Sequence, residues 1–452
     1  MPLTLIVAQS PDKHREKFAR GHASVVALGM ASNRLEGIAV IGDGPAATTL
    51  ATLLVRRGKR VGLFTRGERQ SPLIGESTIP ALVPILQRLG VEDEVRAYSV
   101  FKPGATFTVG ADETLEIDFD RLGGRMPGYA YNVPRDRFDA TLLDACVTSG
   151  ARLFHTPGRL ETDAGESGPT ARVRLTKMCL DETDGFFGGQ PDFIVDASGR
   201  RRTIPKLLDL PTQTGRRRDH ALFAHCDGVP IDREGHIHTD RLEYGWCWRI
   251  PLPDRVSMGF VVDPSRLRKL AKRPEQQYDA LLREDPELAR IAGHAKRVSA
   301  VIRFTNYQSA TRVGVGRAWA LVADCLGFVD PVFSSGLFLA MDGAVNLADA
   351  IVTRTDEALR RYDRTQRHHI GAWQTIVDYF YDGRFYAMLR LRDQPHQNWI
   401  GRLLSPHLGR HLPRVFTGES TARRYDRRLL KLVVDYSLGV LEDPDWARWQ
   451  IR

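Results

Sequence analysis

Cysteine is scarce: five residues in 452, Cys146, Cys179, Cys226, Cys247 and Cys325, with no C-x-x-C pair among them. That excludes a disulfide framework or a cysteine zinc site and fits a reducing compartment. Long apolar runs are also missing, so no membrane span is expected. The opening MPLTLIVAQSPDKHREKFAR places its apolar stretch ahead of its charges, the wrong order for a secretory signal, so a cytoplasmic location is expected. Charge is not strongly of one sign: 64 Lys+Arg against 55 Asp+Glu give +9, spread along the chain, with GRRR at 199–202 and 215–218 as the tight clusters. Without an accompanying motif these clusters read as solvated faces and nucleic-acid binding is not expected, while a basic face for an acidic protein or peptide stays open. His236 and His238 in GHIHTD lack the companions a metal would need and read as a polar turn. No metal and no internal repeat are expected.

What is present is a nucleotide-binding pattern. Residues 1–36 form an N-terminal extension without periodicity. From Gly37, IAVIG reads as a buried parallel strand, GDGPAA as a tight turn, ATTLATLLVRRG as a helix and VGLFT as a second strand, a β-α-β unit. FDATLLDACVTSGARLF continues with a helix and a strand, and DFIVDASGR ends a strand at a polar turn. The nucleotide-binding domain spans 37–202, with part of a second lobe near 98–130. Over 203–300 the helical signal weakens and ALFAHC, YGWCWRI and VSMGFVV suggest an antiparallel sheet. WALVADCLGFVDP and LFLAMDGAVNLADAIV return to the first domain over 301–352, and 353–452 reads as a helical C-terminal region.

In the turn, Gly42 permits the bend, Gly44 lets a pyrophosphate approach the backbone, and the small Ala46 and Ala47 let the helix sit on the strand with its N-terminus toward the phosphates. The acid expected at the end of the second strand is replaced by Thr65, followed by Arg66, so ribose contacts fall to Thr65, Arg66 or Glu68. In YGWCWRIPL, Trp246 and Trp248 share one strand face and Cys247 takes the other. Core packing or a cavity wall would each explain the pair.

DASGR (196–200) and ADCLGFVDP (323–331) resemble the distal cofactor motifs of the glutathione-reductase-type flavoproteins. The resemblance implies FAD, held by Asp196, Gly199, Asp324 at the ribityl chain, and Arg135 of YNVPRDRFD toward the phosphates. The implied fold is α/β, with a parallel FAD-binding sheet, an inserted antiparallel substrate lobe and a helical C-terminal region. In DPVFSSGLFLA, Pro331, Ser334, Ser335, Gly336 and Leu337 bring unhindered N–H groups and a helix start to the flavin, where a positive helix end would stabilise the reduced ring.

Over most of its length from residue 37 the chain is similar to the tryptophan-halogenase superfamily, through GESTIP (75–80) with Glu76 and Ser77, FKPGATF (101–107) with Lys102, GWCWRIP (245–251) and DPVFSSG. The family implies reduced FAD and dioxygen forming a flavin hydroperoxide, with hypohalous acid passed to the lysine. Phe333 stands where tryptophan halogenases carry glutamate, which disfavours free tryptophan. FYDGRFYAMLRLRD and TGESTARRYDRRLLKLVV resemble instead the oxygenases that mature the quinone cofactor of quinohemoprotein amine dehydrogenase. That resemblance implies a monooxygenase hydroxylating a tryptophan side chain of an acidic partner, docked on Arg384, Arg390, Arg392, Arg423 and Arg424. Halogenation of a phenol, pyrrole or indole is the alternative, and a flavin-binding scaffold without turnover a third. Lys102 would act as proton donor or halogen carrier, Glu76 would orient it, and Trp246 and Trp248 would wall the cavity. Electrons would come from NAD(P)H or a flavin reductase.

Overall fold

The computed structural model describes residues 36–67, 72–110, 113–163, 165–305, 308–386, 416–419 and 449–451. The extension up to residue 35, Glu68, Arg390, Arg392, Arg423 and Arg424 lie outside them.

Among the described residues a six-stranded sheet runs in the order Val315–Gly316, Trp319–Leu321, Phe193–Asp196, Gly37–Ile41, Arg60–Phe64, Arg152–Phe154. All its pairs are parallel except the first, at the edge. Gly37–Ile41 is buried along its whole length, as a central strand covered on both faces must be. The helix Pro45–Val55 opens with proline, which loses no needed N–H there, and is buried on nearly every side. It packs on the sheet and on the long helix Ser335–Thr353. That second helix is long and apolar enough to cross a membrane, yet more than half of it is buried inside the protein.

The second lobe is an eight-stranded sheet, antiparallel except where Ile237–Leu242 runs parallel to Gly104–Gly110. Its boundaries differ from expectation in two respects. Ile302–Thr305 pairs with His220–Asp227, so the lobe extends past residue 300. Three helices, Pro264–Leu270, Pro274–Glu284 and Pro286–Ala292, cover its far face. His236 and His238 lie at and within Ile237–Leu242 rather than in an exposed turn; both are buried, and the His236 ring bonds to Thr106 Oγ1 at 3.0 Å. Within the GRRR clusters Arg217 chelates Asp219 and Arg202 donates to Thr212 and Thr311, while Arg200, Arg201, Arg216 and Arg218 are exposed, as a solvated face requires.

Alternation along Gly245–Pro251 divides two cores. Trp246 and Trp248 join the one shared with the nucleotide domain, and Cys247 joins the one beneath the three helices. Trp248 lies opposite Gly259 on the neighbouring strand. A Cβ at Gly259 would fall 2.3 Å from Trp248 Cζ2 and 2.5 Å from Phe223 Cβ, so hydrogen at that position is what makes room for the indole. Gly259→Ala is expected to cost about 1–3 kcal/mol by overpacking and to shift tryptophan emission. Urea unfolding followed by fluorescence checks this, and an unchanged midpoint and spectrum would count against a locked ring.

Candidate active site

At the glycine turn Gly42 takes φ +127°, and a Cβ there would lie 2.4 Å from Ala197 O on the adjoining strand exit. Only glycine allows that crossing. A Cβ on Gly44 would meet nothing within 4 Å, so the backbone there faces open space above the helix N-terminus. Ala46 and Ala47 are buried against the sheet and carry first-turn N–H groups. Thr65 does not face this space alone: its hydroxyl donates to Asp43 Oδ2 at 2.7 Å, and Gly67 N donates back to Thr65 at 3.0 Å. Asp43, inside the glycine turn, thus supplies the carboxylate missing from the second strand. Arg66 is exposed.

Asp324 sits on a turn that Ala323 opens at φ +57°. Burial pushes its carboxyl up to about 6, against the pull of the Arg200 and Arg135 guanidinia. Its carboxylate accepts no bond from the described residues, leaving an acceptor for hydroxyl groups. Asp196, expected to face the cofactor, does not. Its oxygens accept from Ser198 N, Ile204 N and Cys325 Sγ, so it caps the turn and helix that follow its strand. Gly199, at φ +60°, shapes the same turn. Arg135 chelates Asp139 and donates to Ile74 O at 2.5 Å, bracing the segment that leads to Glu76. An open glycine cradle, an unmatched acid and two flanking guanidinia form a donor and acceptor set that fits FAD.

Next to this cleft, Glu76–Thr78 runs alongside the strand Ala130–Asn132, with Ser77 bridged to Asn132. Val133 N donates to Glu76 O at 2.7 Å and Thr78 N to Tyr131 O at 3.0 Å. Successive side chains in an extended run point to opposite faces. Glu76 consequently reaches His225, with Oε1 2.7 Å from Nε2, and does not touch Lys102. Ser77 takes that place: Lys102 Nζ donates to Ser77 Oγ and to Thr78 O, both at 2.8 Å. Lys102 ends the strand Val100–Lys102 and is 2% exposed, and burial alone lowers its amine from the usual 10.5 to about 7.

The two faces of this segment border different spaces. On the Glu76 side, with Arg135, His225 and Arg255, lies a polar cleft of about 630 Å³. On the Lys102 side lies an apolar cavity of about 20 Å³, room for one water, walled by Phe107, Phe119, Phe333, Ser334 and Phe416. Phe333 and Ser334 come from the loop that begins at Asp330. Asp330 Oδ1 accepts from Val332 N at 3.1 Å, Pro331 opens a short 3-10 turn, Ser334 adopts φ +56°, and the helix Ser335–Thr353, with Gly336 and Leu337 in its first turn, starts there. Trp246 and Trp248, ring centroids 5.7 Å apart, are buried behind this loop rather than in the cavity lining. Arg384 chelates Asp382 and covers the Tyr379 ring, so it is not free to dock a partner.

Asp43, His225, Tyr381 and Phe416 went unnoticed in the sequence. An acid inside the glycine turn was the one available signal; the others meet the site only through folding.

Residues 115–385 match the family model described as tryptophan halogenase. A tryptophan 2-halogenase of Chondromyces crocatus is 30% identical over 368 residues, 76% of this chain and 67% of that protein. The chain thus spans about two thirds of the length of such relatives. The structure of the myxobacterial chondrochloren halogenase CndH is 26% identical, with a TM-score of 0.65 over 91% of this chain and 99% of that one. The halogenase PltM, as a mutant in complex with FAD, shares the fold at 16% identity, with a TM-score of 0.68 over 91% and 92% of the two chains.

The lowered Lys102 amine has a sign that can be tested. Between about 7 and 10.5 the unfolded chain holds a proton that the folded chain lacks, so Lys102 destabilises the fold fully below that window and ceases to do so above it. Lys102→Met is expected to be more stable than wild type at pH 7, by roughly 3–5 kcal/mol, and to lose most of that advantage by pH 10. Urea midpoints of both proteins at the two pH values measure it.

Proposed function

The chain belongs to the tryptophan halogenase family, and we propose that it is an FAD-dependent halogenase acting on an electron-rich, uncharged aromatic group. The buried Lys102 amine in the wall of an apolar cavity carries this reading. Asp324, Arg135, Thr65, Asp43 and the N–H groups beside Gly44, Ser335 and Gly336 would hold FAD. When bound and reduced by NAD(P)H or a flavin reductase, FAD would supply the two electrons that bring dioxygen to the level able to oxidise a halide to hypohalous acid, the second oxygen atom leaving as water.

The remaining chemistry falls to side chains of the cavity. As the ring carbon bonds to the halogen, the halogen–oxygen bond breaks and the departing hydroxide needs a proton. Lys102 Nζ, as an ammonium, gives that proton and water leaves. The resulting amine then takes the proton that the ring must lose, so the lysine ends as it began. A pKa of about 7 suits both transfers. Ser77 Oγ and Thr78 O occupy two of the three positions on Nζ, which directs the third to the cavity.

The lining also supports a substrate class. Phe107, Phe119, Phe333 and Phe416 offer rings, and no carboxylate or guanidinium lines the cavity among the described residues. A free amino acid would lose the hydration of its ammonium there without gaining a carboxylate partner among the described lining residues. A phenol, pyrrole or indole ring would instead take up space now filled by the phenylalanine rings. The hydroxylase reading shares the cofactor, and of the segments that distinguish it AMLRLRD (387–393) and TARRYDRRLLKLVV (421–434) fall outside the described residues.

Purified chain supplied with FAD, a flavin reductase, NADH, dioxygen and bromide is expected to add bromine to such a ring, seen as its isotope pattern by mass spectrometry. Lys102→Met should retain FAD and lose about 10²-fold or more in turnover. Gain of one oxygen on a peptide indole, with halide left out, would overturn halogenation in favour of hydroxylation.

A further inference from the structure

Behind the Asp330 loop, three buried side chains from three separate elements form an unbroken line of hydrogen bonds. Trp246 Nε1 donates to the Tyr381 hydroxyl at 2.9 Å, and that hydroxyl donates to Asp330 Oδ2 at 2.7 Å. The other oxygen of Asp330 caps Val332 N, at the turn leading to Ser334 and Ser335. Tyr381 is the last residue of the helix Asp356–Tyr381 and has little freedom to move. The Arg217 guanidinium lies 4.1 Å from its ring centre, and its backbone oxygen accepts from Ile451 N at 2.9 Å. Arg217 in turn donates to Ile451 O at 3.2 Å.

We propose that Tyr381 is a positioning residue for the loop Asp330–Gly336, its hydroxyl being the joint that ties this loop to the tryptophan-bearing sheet and so sets the helix start against FAD. The proposal rests on the FAD reading above.

A phenylalanine would fill the same volume among Phe380, Trp246 and Arg217, so packing alone does not call for the oxygen. The hydroxyl spends its one proton on Asp330 and one lone pair on Trp246, which satisfies both buried neighbours. Remove it, and an indole N–H and a carboxylate oxygen are left without that partner. Asp330 then faces Asp219, which repels it, and Arg217, which attracts it. Rotation toward Arg217 would carry Oδ1 off Val332 N and release the turn that presents Ser334, Ser335 and Gly336. Burial already lifts the Asp330 carboxyl to about 7, with the Tyr381 hydrogen bond working against that rise.

The experiment measures FAD affinity by fluorescence quenching, and the visible circular dichroism of bound flavin, for wild type, Tyr381→Phe and Tyr386→Phe at pH 8. Tyr386 is a neighbouring buried tyrosine whose hydroxyl has no hydrogen-bond partner among the described residues, so it reports the same chemical change without the joint. Tyr381→Phe is expected to weaken FAD about tenfold and alter the flavin dichroism, whereas Tyr386→Phe should stay within about twofold of wild type. Equal affinity and dichroism for Tyr381→Phe and wild type, or equal losses in the two variants, overturn the proposal. If Tyr381→Phe does not fold, Asp330→Asn reads the joint from its other end. An amide of the same size that keeps FAD affinity within twofold overturns the proposal, and a loss of about tenfold supports it. Failure of wild type to take up FAD would instead overturn the cofactor reading itself.

Discussion

The register of one short extended segment governs the site. Thr78 is fastened to Tyr131 by its amide and by its hydroxyl, which accepts from Tyr131 N and donates to Tyr131 O, and Glu76 O accepts from Val133 N. With the backbone pinned, alternation sends Glu76 to His225 and Ser77 to Lys102. A slip of one residue would exchange them. Lys102 would then sit beside a carboxylate that stabilises its charged form, and the cause of its lowered pKa would be cancelled. The neutral hydroxyl and carbonyl now in contact with Nζ satisfy its hydrogens without countering desolvation. Acid–base behaviour at the lysine is thus set by which face of a strand a serine occupies.

The lobe sheet supplies the stiffness that this arrangement needs. Its near face carries Trp246, Trp248 and Phe223 into the core shared with the nucleotide domain, and its far face buries Leu222, Cys247 and Phe260 against Tyr278 and the rest of the three helices. A wall packed on both sides cannot yield to one side without opening a void on the other. His225 projects from the same wall, so its contact with Glu76 fixes the segment against a surface that does not move.

What could be read directly from the sequence was local. The glycine turn, the two strands around it, FKPGATF and DPVFSSG each keep their chemistry within a few residues, and the tryptophan alternation needed only a strand. Contacts that close over long separations left no such trace: Glu76 meets a histidine 149 positions away, and Tyr381 meets an aspartate 51 away. Asp196 stands at the motif position but spends its oxygens on the following backbone, which a motif does not reveal. The helices over 264–292 leave little trace in the sequence because none exceeds 11 residues, too short for a clear 3.6-residue period, although each begins at a proline, which favours a helix start. The arginines of the tail read in sequence as one docking surface, yet Arg384, the one among the described residues, is spent on Asp382.

Phe333 and the lowered Lys102 amine belong together. A carboxylate in place of Phe333 would face the cavity that Lys102 lines, and its charge would hold the ammonium form and raise the pKa. A lysine kept charged can donate a proton or hold an anion, but it cannot take a proton back from a ring. With phenyl rings across the cavity, no opposing charge offsets burial, and the amine becomes available near neutral pH. The same rings remove the anchor that a free amino acid's ammonium would need. On the halogenase reading proposed above, one change of residue type would set both the proton chemistry of the lysine and the charge class of substrate that the cavity admits, and the two would be a single property of the site.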